Sequence, residues 1–159
     1  MIEKTDLSQE NTVQAIRWEN NQLQLLDQRI LPQTTEYLSF DDVNAVAEAI
    51  RDMVVRGAPA IGITAAYGIV LAARTRFVES LSDWKTLIEA DLQTLAQSRP
   101  TAVNLFWAIE HMRECIATVS GDPQAAVLAE AKKIHENAIA ACRRMGELGA
   151  ELSEKPCAI

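Results

Sequence analysis

Two arginines stand where a cation is least expected. Arg56 lies in "VRGAPAIG" and Arg99 in "SRPTAVNL". Each is followed within three residues by a proline, and then by an apolar run of helical character. Proline is favoured at the first helical position, so Pro59 and Pro100 mark two helix starts. A helix start carries partial positive charge and unpaired N–H groups. Two guanidiniums at two such places point to an anion between them. Gly57 and Ala58 add a stretch of backbone that a ligand can approach closely. The arrangement reads as half of a phosphate site. The plainer alternative is two solvated surface arginines.

Other reactive groups do not cluster. Cys115, Cys142 and Cys157 have neither CxxC nor Cys/His ligand spacing, and His111 and His135 fall on separate expected helices. Neither a metal site nor a cofactor is expected. The chain has 159 residues, 48% hydrophobic and 23% charged, enough for one domain with a proper core. A net charge of −7 argues against nucleic acid as a partner, because a duplex binder needs a basic face. Lys132-Lys133 and Arg143-Arg144 read as a solvated helix face. The opening "MIEKTDLSQENT" lacks a basic segment followed by an apolar one, so no signal peptide is expected. The apolar run Ala58 to Ala73 falls short of the roughly 20 residues of a membrane span and reads as a buried core helix. No membrane association is expected. The cysteines then read as reduced thiols of a cytoplasmic protein.

The elements that must hold these groups follow from periodicity and turn residues. Residues 1–11 read as a flexible lead-in. "VQAIRW" (13–18) is strand-like, with Val13, Ala15 and Arg17 on one face and Ile16 and Trp18 on the other. "ENN" (19–21) is a turn, and "QLQLLDQ" (22–28) alternates Leu23 and Leu25 with polar neighbours, which predicts an antiparallel hairpin. "TTEYLSF" (34–40) is a third strand. A helix over 42–54, capped by Ser39 or Asp41, carries Val43, Val46, Ala47, Ile50 and Met53/Val54 as its apolar stripe. Pro59 to Arg76 forms a second helix, apolar nearly all round. Gly62 and Gly68 each cost a helix ~1 kcal/mol against alanine, so a close backbone approach must outweigh that cost. Further helices are predicted over 81–98 (with Ser82 as cap), 101–119 and 123–152, the last along Ala126, Leu128/Ala129, Lys133, Ile134, Ile139 and Met145. The fold class is α+β, mainly α: an N-terminal antiparallel β-meander packed on a five-helix bundle.

Several segments occur in the order found in one known family: "AIRW" (15–18), "LLDQRILP" (25–32), "VRGAPAIG" (55–62), "AAYG" (65–68), "RPTAVNLFWA" (99–108), "IHE" (134–136) and "MGELGAEL" (145–152). Over about Val13 to Ile159 the chain closely resembles the N-terminal part of methylthioribose-1-phosphate isomerases, enzymes of methionine salvage. Their wider superfamily holds ribose-1,5-bisphosphate isomerases and regulatory subunits of a translation initiation factor. "RPTAV" is shared with the former, whereas "LLDQR" with "GAPAIG" points to the methylthioribose enzymes.

The resemblance implies a metal-free conversion of an aldose 1-phosphate to a ketose 1-phosphate. It implies a phosphate-binding loop at Arg56, Gly57 and Ala58, with Arg99 as a second substrate-binding arginine. Bidentate contacts to phosphate would make lysine a poor substitute at either arginine. The family's catalytic cysteine, in a "THCN" motif, and its catalytic aspartate, in a Rossmann-like C-terminal domain, would both lie beyond Ile159. Cys157 precedes that motif and reads as a small core residue. Residues 12–153 are therefore expected to be the family's N-terminal domain, and 154–159 the start of a linker or strand toward a C-terminal domain absent from this chain. A phosphorylated sugar is the expected ligand, and a homo-oligomer or a C-terminal half the expected partner. The readings held against this one are a ribose-1,5-bisphosphate isomerase relative and a non-catalytic binding or interaction module.

Overall fold

The computed structural model describes residues 13–152. The expected lead-in at 1–11, the expected strand start at 154–159 and Cys157 lie outside them. The strands are β1 (Ile16–Glu19), β2 (Gln22–Leu26) and β3 (Tyr37–Phe40); the helices are α1 (Val43–Arg51), α2 (Ala58–Glu79), α3 (Trp84–Ser98), α4 (Val103–Thr118) and α5 (Gln124–Leu152). The architecture is the expected antiparallel meander on five helices.

The sheet runs β1-β2-β3, with Glu19 opposite Gln22, so Asn20-Asn21 form a two-residue hairpin turn. Both asparagines have positive φ, 52° and 59°, as a turn matching the right-handed strand twist requires. Leu23 and Leu25 are fully buried, as their alternation predicts, and Ile16 joins them from β1. Arg17 turns to the other face, with its guanidinium 4.1 Å from the centre of the Tyr37 ring.

Helix α2 is the axis of the molecule. It packs against all four other helices and against β1 and β2. By length and composition it could cross a bilayer, but 72% of its most apolar window is buried inside this fold, and every residue from Ile61 to Ala73 is buried. An apolar surface on all sides is what a helix surrounded by neighbours needs. Its glycines show why side chains are absent there. A Cβ on Gly62 would lie 2.8 Å from the Asn104 carbonyl oxygen, and one on Gly68 would lie 3.0 Å from Val46 Cγ1. At its polar end Arg74 donates to the carbonyls of Asn21 and Asp41, tying α2 to the hairpin. Arg76 grips the buried Asp91 of α3 at 2.7 and 2.9 Å.

Four sequence expectations are corrected. The cap of α1 is Asp42, whose carboxylate accepts from the amides of Asn44 and Ala45, rather than Ser39 or Asp41. Ser39 pairs within β3, opposite Gln24. Helix α3 begins at Trp84, not Leu81, because Ser80, Ser82 and Asp83 form a local hydrogen-bonded turn first. Pro100 does not open α4. It is the second residue of a turn closed by the Ala102 amide on the Arg99 carbonyl, a position that favours proline equally well. Along α5 the buried residues are Val127, Ala131 and Ile134, with Ile139 and Met145 exposed. Only its first half has neighbours to pack on.

Candidate functional site

The approach to Arg56 is built by α1's ending. Met53 adopts a left-handed conformation at φ 62°, while the amides of Met53 and Val54 close on the carbonyls of Ile50 and Ala49. This is the terminating motif usually reserved for glycine. Val54 and Val55 are then buried, which anchors the chain on both sides of the bend. A second clamp comes from the "LLDQR" segment. Asp27 is buried and receives the Arg29 amide at 3.0 Å, Nε at 2.9 Å and Nη2 at 2.7 Å. The Arg29 guanidinium holds the Asp27 carboxyl below the usual range, against the opposing effect of burial. The turn so fixed aims the Gln28 amide at the Val54 carbonyl, 3.0 Å away. Asp27 and Arg29 therefore support the segment leading to Arg56. Their signal in the sequence was an acid inside an apolar run.

Arg56 itself is exposed, as are Gly57 and Ala58. Gly57 is the residue before α2, with φ 95°, a conformation that favours glycine, and the Ile61 amide closes on its carbonyl. No side chain caps α2, so its first amides have no side-chain partner among the described residues. Arg99 is half-buried. It ends α3 and precedes α4 by four residues. A cation at the end of α3 is favourable, so the unfavourable-cation argument holds more firmly for Arg56 than for Arg99. Helix α4 also lacks a side-chain cap. Among the described residues, Arg29, Arg76, Arg113 and Arg144 engage carboxylates, whereas Arg56 and Arg99 have no such partner; Arg17, Arg51, Arg74 and Arg143 share that state.

The two helix starts lie at the same end of the bundle. The second turn of α2 meets the first turn of α4 at the Gly62–Asn104 contact. Pro59, Gly62, Asn104, Trp107, Asn137 and Ala138 line one small cavity of about 210 Å³ there. A larger cavity of about 670 Å³ opens beside Gly57 and Pro59, with Ala15, Ile16, Ile63 and Ile139 among its mainly apolar walls.

Between β1 and α5 lies a third group that the sequence reading did not single out. Tyr67 stacks on Trp18 at 5.4 Å, and its hydroxyl is 3.2 Å from His135 Nδ1. Burial, with a contribution from Glu136, pushes the Tyr67 hydroxyl up to about 12, and burial pushes His135 down. Both are thus held neutral. His111 pairs instead with Glu130 at 2.6 Å and stacks on Trp107, joining α4 to α5. The two histidines serve different places, as their separate helices imply.

The Initiation factor 2 subunit family matches residues 54–159. The chain belongs to that family. It is 54% identical over 142 residues to the methylthioribose-1-phosphate isomerase of Methylococcus capsulatus, covering 89% of this chain and 40% of that protein. It is 56% identical over 153 residues to the enzyme of the same name from Thioalkalivibrio sulfidiphilus, covering 96% of this chain and 43% of that one. The chain thus spans about 40% of the length of the curated relatives it matches. Among solved structures, 5-methylthioribose 1-phosphate isomerase from Pyrococcus horikoshii OT3 superposes with a TM-score of 0.80 at 37% identity, over 87% of this chain and 40% of that one. The eIF-2B delta subunit from A. fulgidus superposes with a TM-score of 0.82 at 38% identity, over 91% and 43%. One fold thus appears under an enzyme's name and a translation factor's name, so function has to be argued from the site.

Proposed function

We propose that this chain is the phosphate-binding part of a methylthioribose-1-phosphate isomerase of methionine salvage, a cytoplasmic homo-oligomer acting on a sugar phosphate. The observation that carries the reading is the pairing of two uncapped helix starts, each preceded by an arginine, at one end of the bundle. Their uncapped amides and the Gly57 bend offer an anion fixed partial charges, and Arg56 and Arg99 offer full ones. Identity of 54–56% to proteins bearing the isomerase name favours that substrate over others of the superfamily. The cavity beside Gly57 has mainly apolar walls suited to the uncharged methylthio end of such a sugar, with His135 and Arg143 also on its lining. By resemblance, the proton-transfer groups lie beyond Ile159. Residues 56–104 are the part that contributes phosphate binding.

The test is a titration of the chain with inorganic phosphate and with methylthioribose 1-phosphate, followed by amide NMR shifts. Shifts at Gly57, Ala58 and Val103 are expected, lost in Arg56→Ala and weakened in Arg99→Lys. Binding that survives Arg56→Ala would overturn the reading.

A further inference from the structure

We infer that Gly62 is a positioning residue that sets the spacing between the two phosphate-binding helix starts; this rests on the phosphate-site reading above. Gly62 lies one turn inside α2, five residues after Gly57, and Asn104 lies five residues after Arg99. At Gly62 the two helices approach each other closely. A Cβ there would meet the Asn104 carbonyl oxygen at 2.8 Å, its carbonyl carbon at 3.4 Å and its Cβ at 3.5 Å. Two of these atoms are backbone in the first turn of α4, so no side-chain rotation relieves the contact. Either α4 shifts by several tenths of an ångström or α2 does. A binding constellation tolerates only about 0.5 Å of misplacement before its contacts weaken. Charge-assisted hydrogen bonds to phosphate have a narrow distance range, so two arms moved apart cannot both reach one anion.

Gly68 supplies the control within the same helix. A Cβ there would meet Val46 Cγ1 at 3.0 Å and Leu95 Cδ2 at 3.5 Å, both on side chains and both on the face toward α1 and α3. Its substitution strains the core without touching α4. Both changes raise intrinsic helix propensity alike.

The experiment compares Gly62→Ala with Gly68→Ala for inorganic phosphate affinity, by calorimetric titration, and for thermal midpoint. Gly62→Ala is expected to bind phosphate at least fivefold more weakly, while Gly68→Ala, which also lowers the midpoint, binds as the parent does. Parent-like affinity in Gly62→Ala, with Arg56→Ala inactive in binding, would sink the spacing role and leave the phosphate site standing. Parent-like affinity in Arg56→Ala would remove the site itself and the spacing role with it. Should Gly62→Ala not fold, the unaltered chain decides. Phosphate is then expected to shift the amides of Gly57, Ala58, Ala60 and Ile61 and of Val103–Phe106 with one common dissociation constant. Response at a single helix start would refute the role.

Discussion

Met53 shows how one backbone angle can serve a site several residues away. A methionine at φ 62° costs about 1 kcal/mol or more relative to a right-handed conformation, because its Cβ crowds the following carbonyl. It is retained in a bend that delivers Val54, Val55 and then Arg56. Met53→Gly relieves that crowding, and Met53 is 40% exposed, so little packing is lost. We expect Met53→Gly to raise the thermal midpoint by a few degrees, corresponding to about 1 kcal/mol, in a calorimetric scan. His135 makes the complementary case for charge. Its folded pKa lies below the ordinary 6.5 because it is half-buried against Tyr67. The unfolded chain therefore takes up a proton that the folded chain resists. Stability is complete above about pH 6.5 and falls as the pH drops from there through the lowered folded value. Arg17 and Glu19 of β1 and Lys132 and Glu136 of α5 line the same cavity, and Glu136 partly opposes the shift. Urea midpoints at pH 7.5, 6.5 and 5.5 should decline for the parent, and His135→Gln should flatten that decline. Parallel curves for the two would contradict the assignment. Neither Met53's angle nor the Tyr67–His135 contact was legible in the sequence, because both depend on what surrounds the residue.

Among the elements, α5 divides into two halves of different character. Val127, Ala131 and Ile134 are buried against α2 and α4, and His111 reaches Glu130 from α4. From Ile139 to Glu151 every residue is exposed. Helical stability in proteins comes mostly from a packed face, and an isolated stretch of that length is marginal in water. In dilute solution, where the chain is monomeric, hydrogen exchange should therefore show the amides of 139–151 exchanging at least tenfold faster than those of 127–138. Uniform protection along the helix would show that the outer half has a partner. The apolar residues Ile139, Cys142, Met145 and Leu148 recur every third position, so they wind around the helix instead of forming one stripe. Residue spacing along the helix cannot show that this half lacks a neighbour to pack on. Helix α2 was easier to read, since it is apolar all round and needs no phase.

For the molecule as a whole, the family assignment and the fold agree, and the proposed site sits at one end of a bundle whose axis is α2. Large apolar side chains remain exposed at that end and along α5, including Trp107 at 55% and Met145 at 64%. Exposed groups of this kind mark interaction surfaces. The chain is expected to self-associate, with weight-average mass rising with concentration in sedimentation equilibrium. The double variant Ile139→Glu with Met145→Glu should lower that tendency without lowering the thermal midpoint. A monomer at every concentration, with no binding of a hydrophobic dye, would contradict it.

Local chemistry decided much of this protein before any folding is considered. Pro59, the Gly121-Asp122-Pro123 break and the Asn20-Asn21 turn set element boundaries through φ angles and missing donors, which depend on the residue itself. The apolar alternation of β2 and the unbroken apolar surface of α2 gave sheet and core. The glycines at 62 and 68 announced close approach. Only the tertiary structure decided what approaches them: a helix backbone at one, side chains at the other. It alone brought the starts of α2 and α4 to the same end and set Asp27 beneath the path to Arg56. It also left half of α5 without a neighbour. Those are relations between residues far apart in the chain, and no local propensity encodes a distance between two helices.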